Sequence, residues 1–95
     1  MLTSKQRATL RAMAHELSPI IHVGKAGVTE NIIKQADEAL TPHELIKGTV
    51  QQNCPVSAKE ALAEIAEKTG AEPVSVTGRK FVLYRPRPEE PGIRV

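Results

Sequence analysis

Ninety-five residues, 40% hydrophobic and 25% charged, describe one globular domain with a modest core and no room for a separate catalytic domain. No run reaches the ~18 apolar residues of a membrane span, and Met1-Leu2-Thr3-Ser4-Lys5-Gln6-Arg7 lacks the apolar stretch of a secretory signal. The single Cys54 excludes an internal disulfide, so a reducing, cytoplasmic setting is expected. The net charge of +2 conceals a segregation: residues 1–29 carry Lys5, Arg7, Arg11 and Lys25 against Glu16, whereas residues 30–44 carry Lys34 against Glu30, Asp37, Glu38 and Glu44. Such asymmetry is an electrostatic footprint for a polyanion, although most charge runs are only solvated faces.

Thr3-x-x-Gln6 is a capping box, and Leu10, Met13, Ala14 and Leu17 recur at helical spacing, which predicts a helix over 4–16 ending before Pro19. Ile20-Ile21-His22-Val23 is a β-branched run bounded by a proline and a glycine, and reads as a strand. Thr29 is the expected N-cap of a helix over 30–40, with Ile32, Ile33, Ala36 and Leu40 in one stripe and Pro42 as its limit. Residues 45–51 read as a second strand, with a bulge possible at Gly48. Ser57-x-x-Glu60 opens a third helix that runs to Thr69 and stops at Gly70. Val74–Thr77 and Lys80–Arg85 then flank the two-residue hairpin turn Gly78-Arg79. The order is αβαβαββ.

Opposing Thr77 to Lys80 pairs Val76 with Phe81 and Val74 with Leu83 on one face. The expected core is therefore Ile21, Val23, Ile32, Ile33, Ile46, Leu62, Ile65, Val74, Val76, Phe81 and Leu83. Phe81 and Tyr84, the only aromatics, fall on opposite faces, which removes the stacking platform of an RRM or OB-fold. Any nucleic acid must then be held through its backbone.

The means of holding it is Gly24-Lys25-Ala26-Gly27. Two residues without Cβ let a ligand backbone approach, Lys25 supplies charge, and the helix that follows presents its positive end to a phosphate. A purely structural strand-to-helix turn explains the glycines equally well on spacing alone. KH domains hold RNA with a similar clamp between two helices, whereas this loop joins a strand to a helix. His15, His22 and His43 have no ligand-like spacing, so neither a metal nor another cofactor is expected. Lys47, Arg79 and Lys80 are further candidate contacts, each with an ordinary surface role as its alternative.

Leu10, Ala14-His15, Leu17, Pro19, the loop Gly24–Thr29, Ala39-Leu40, His43-Glu44-Leu45-Ile46-Lys47, Thr69-Gly70-Ala71 and Leu83-Tyr84-Arg85-Pro86 occur in an order that resembles the YhbY proteins. These are the stand-alone bacterial form of the CRM (chloroplast RNA splicing and ribosome maturation) domain. Gly48 departs from an apolar strand position of that pattern. The resemblance implies an α/β fold of the two-layer α+β kind, a four-stranded mixed sheet packed on helices as in the C-terminal domain of translation initiation factor 3. It also implies RNA binding through the loop and association with precursors of the large ribosomal subunit. The candidate RNA-binding residues are Gly24, Lys25, Ala26, Gly27, Lys47, Arg79, Lys80 and Arg85, in a domain spanning 1–86. A flexible proline-rich tail is expected over 87–95, and a monomer without membrane partners is the expected state.

Two other classes compete. An acylphosphatase needs a loop arginine and a water-positioning asparagine that Gly24-Lys25-Ala26-Gly27 does not supply, so no enzymatic activity is expected. A ribosome-associated protein–protein module would use the acidic stretch 30–44 and leave the glycine loop structural.

Overall fold

Three N-caps set the helices. Thr3 and Ser57 each accept an N–H bond from the glutamine or glutamate three residues on, whose side chain returns the bond, and Thr29 Oγ1 accepts the Ile32 N–H at 3.2 Å. In the computed structural model, which describes residues 2–87 and Gly92, these caps open α1 (Ser4–Ala14), α2 (Glu30–His43) and α3 (Ala58–Thr69). Gly70 closes α3 in the left-handed conformation at φ 74°. The strands are β1 (Ile21–Val23), β2 (Leu45–Val50), β3 (Glu72–Thr77) and β4 (Lys80–Tyr84), in the predicted order αβαβαββ.

The strands form one mixed sheet in the order β1-β2-β4-β3, with β1 parallel to β2 and the other pairs antiparallel. Helices cover both faces, one layer more than the two-layer arrangement expected. On one face α2 and α3 bury Ile32, Ala36, Leu40, Ala61, Leu62 and Ile65 against Ile21, Val23, Ile46, Phe81 and Leu83. On the other, α1 buries Leu10 and Ala14 against Leu45, Val74, Val82 and Tyr84. The central strands are thus apolar on both sides, the pattern of a sheet sandwiched between helices.

The hairpin keeps Thr77 opposite Lys80 and Val76 opposite Phe81, but the register slips between Pro73 and Ser75, so that Pro73 faces Leu83. Val74 is the extra residue and turns to the α1 face, contrary to the expected pairing with Leu83. Val76, expected in the core, is 39% exposed on the edge strand, and Ile33 only half-buried. Gly48 causes no bulge in β2; it lies directly opposite Phe81, whose ring fills the space that a Cβ would occupy. Helix α2 also runs past the expected limit at Pro42 to His43.

Glu44 ends α2 at φ 63° and is buried. Its carboxylate accepts the N–H groups of Arg87 at 2.8 Å and Gly92 at 2.7 Å, so the two described tail residues are tied to the domain. The rest of the expected flexible tail, residues 88–91 and 93–95, lies outside the described residues.

Burial holds the Tyr84 phenol above its ordinary ionisation range, and the Glu44 carboxylate adds to the shift. The unfolded chain ionises this group from about pH 10 while the folded one still holds its proton. Stability is therefore expected intact below pH 10 and to fall as pH rises beyond it. Ultraviolet titration of this single tyrosine reads the shift directly.

Candidate nucleic-acid interface

Because β1 and β2 are parallel, the segments that follow their carboxyl ends lie side by side, the usual position for a ligand in such a unit. Gln51 N–H donates to Val23 O at 2.8 Å, joining loop 51–57 to the glycine loop. Strand β4 starts at this same end, where Val50 N–H donates to Arg79 O at 2.8 Å. The glycine loop, the hairpin turn and the amino termini of α2 and α3 therefore share one end of the sheet. Glu30 and Glu60, in the first turns of the two helices, temper the positive potential there.

Within the loop, Gly27 N–H donates to Gly24 O at 3.0 Å, closing a four-residue turn with Lys25 and Ala26 at its corners, both exposed. The two glycines have different reasons. Gly27 sits at φ 74°, a conformation that favours glycine, whereas Gly24 has ordinary backbone angles and is packed beside Gln51, whose Oε1 lies 3.0 Å from where a Cβ would sit. Lys25 reaches solvent from this turn, with exposed Arg79 and Lys80 at the same end.

The other candidates separate. Lys47 is half-buried in mid-β2 and its Nζ donates to Ala14 O at 3.5 Å, at the carboxyl end of α1. Arg85 lies beyond the far end of β4. Its guanidinium donates to Asp37 Oδ1 at 2.6 Å, Thr69 O at 2.8 Å, Asp37 O at 3.0 Å and Thr41 Oγ1 at 3.1 Å, clamping the carboxyl ends of α2 and α3. The structure puts Lys25, Arg79 and Lys80 at one end of the sheet, the Lys80 side chain on the α1 face, and leaves Arg85 at the opposite end. Sequence reasoning missed Gln51 and Pro55, which back the two glycines; their only signal is the polar, proline-containing stretch Gln51–Pro55 between a strand and a capping box.

The CRS1 / YhbY (CRM) domain model matches residues 2–85. The chain belongs to this family. It is similar to the Bacillus subtilis "Probable RNA-binding protein YqeI", 41% identical over 95 residues and covering 100% of this chain and 99% of that one. A Haemophilus influenzae protein named "RNA-binding protein" is 35% identical over 88 residues, 93% of this chain and 89% of the relative. The solution structure of the hypothetical protein SAV1595 from Staphylococcus aureus superposes with a TM-score of 0.84 at 43% identity, covering 100% of this chain and 99% of that one. The CRM resemblance seen in the sequence is therefore the family relationship, and the four-stranded mixed sheet is the fold of a solved relative.

Among the described residues, no helix is long and apolar enough to cross a membrane.

Proposed function

We propose that this protein binds RNA by its sugar–phosphate backbone at the loop end of the sheet. The observation that supports this reading is that Lys25, Arg79 and Lys80 share that end of the sheet with the glycine turn and two helix amino termini. Exposed backbone amides and cations bind phosphate without reading sequence. The family's RNA-binding relatives agree with this chemistry. Gly24 and the buried Gly27 shape the turn, Lys25 and Ala26 present the clamp on it, Arg79 and Lys80 extend it, and Arg85 has a structural role. The chemistry needs no catalytic group, metal or cofactor.

Three cationic contacts at this end, from Lys25, Arg79 and Lys80, give an expected log–log salt slope near −2 on single strands, at ~0.7 per phosphate. Filter binding over a salt series measures it. A slope near zero would reject backbone binding and favour the reading as a protein–protein module.

The RNA we assign is ribosomal RNA in precursors of the large subunit, a reading that rests on the CRM relationship. Modest, salt-sensitive affinity suits a factor that must leave a finished particle. In low-salt gradients the protein is expected with immature large-subunit particles. Recovery only in the free fraction, or equally on mature ribosomes, would count against this assignment while leaving RNA binding intact.

A further inference from the structure

On the α1 face, away from the glycine turn, Arg11, His15, Lys47 and Lys80 converge on a cleft of about 280 Å³. Ser75 and Thr77 line it with hydroxyls, Ala14 and Val82 with apolar surface, and no carboxylate is among its lining residues. The carboxyl end of α1 would ordinarily repel an anion, but here the Ala14 carbonyl already accepts bonds from Lys47 Nζ and from the Leu17 N–H. The cleft has the three components that a nucleotide requires: cations for the phosphate, hydroxyls for the sugar and apolar surface for the base. Its volume, near the lower end of the ~300–1,000 Å³ range of small-ligand sites, suits one nucleotide.

We propose that this cleft is a second RNA subsite that receives one unstacked nucleotide of a strand whose backbone also crosses the glycine turn. The inference rests on the RNA-binding reading and adds Arg11 and His15 as binding residues. Lys80 connects the two sites, because it lines the cleft and follows Arg79, whose carbonyl is bonded to the Val50 N–H beside the loop end. Strands β1 and β4 are separated by β2 alone, two spacings of ~4.8 Å or about 10 Å, a gap that a few nucleotides cross. A base paired in a duplex is stacked on both sides and cannot enter, so the subsite selects single strands.

The test uses Arg11→Gln/His15→Gln, since both residues are exposed and neither carries a core contact, whereas changing Lys47 would also remove its bond to α1. Anisotropy titrations compare a single-stranded oligonucleotide with a duplex for wild type, this double variant and Lys25→Glu. The double variant is expected to lose about five- to tenfold in single-strand affinity, with a shallower salt slope, and to bind duplex as wild type does. Unchanged single-strand affinity would overturn the subsite, as would an equal loss on both RNAs, which would mean surface charge alone. Lys25→Glu separates the two readings: its failure to weaken binding sinks the loop site whatever the cleft variant does. In amide spectra of the wild type, adenosine 5′-monophosphate and the oligonucleotide are each titrated. Shifts at Ser75 and Thr77 with the oligonucleotide alone assign the cleft to a chain nucleotide, shifts with both extend it to free nucleotides, and shifts with neither reject it.

Discussion

Replacing Gly48 by alanine is expected to lower the unfolding free energy by about 2–3 kcal/mol. A Cβ there would fall 2.4 Å from Phe81 Cζ and 2.6 Å from its Cε1. Neither partner can give way cheaply, because Gly48 is held in the centre of the sheet opposite Phe81 and the ring is fully buried. The ordinary gain from glycine to alanine in a strand, about 0.5–1 kcal/mol, has the opposite sign and is smaller. Urea denaturation of Gly48→Ala, Phe81→Leu and the double variant checks the mechanism. Leucine lacks the ring atoms that clash, so the double variant should cost less than the sum of the single changes. Strict additivity, or a more stable Gly48→Ala, would show that the ring does not dictate the glycine.

The largest effect on binding is expected from charge reversal at the loop end. Lys25→Glu should weaken RNA binding about tenfold and Lys25→Glu/Arg79→Glu about a hundredfold, roughly 1.4 kcal/mol per step. Both side chains are exposed on turns, so thermal unfolding should shift little. Gly27→Glu is a poorer probe, since at φ 74° any side chain adds backbone strain and mixes loss of fold with loss of contact. Competition binding with melting curves on the same samples separates affinity from stability. Wild-type affinity in the double variant would remove this end of the sheet from the interface.

The element order was legible because each helix carries its own cap and each strand is bounded by a proline, glycine or turn. The mixed sheet followed from the family resemblance rather than from periodicity. What periodicity could not reveal was the slip at Val74, since one extra residue reverses every side chain beyond it. Pro73 has no amide to give the ladder, and the slip occurs beside it. The extension of α2 through Pro42 is a tertiary override: Arg85 and Thr41 both donate to the Asp37 carbonyl, and Glu44 N–H donates to Leu40 O, holding the last turn despite the missing proline amide. Arg85 looked available because nothing local in the sequence announces these contacts, which engage its guanidinium. In the sequence it is the basic last residue of the predicted strand 80–85; only the fold ends β4 at Tyr84 and places Asp37 and Thr69 around Arg85. The placement of Lys25, Arg79 and Lys80 at one end of the sheet likewise depends on strand order, which no local pattern contains.

Chemical-shift mapping of the ¹⁵N-labelled protein with single-stranded RNA locates the bound strand residue by residue. The largest changes are expected at the amides of Gly24–Thr29 and of Arg79 and Lys80, weakening together as salt is raised. Changes centred instead on Asp37, Thr69 and Arg85, at the opposite end of the sheet, would contradict binding at the loop end.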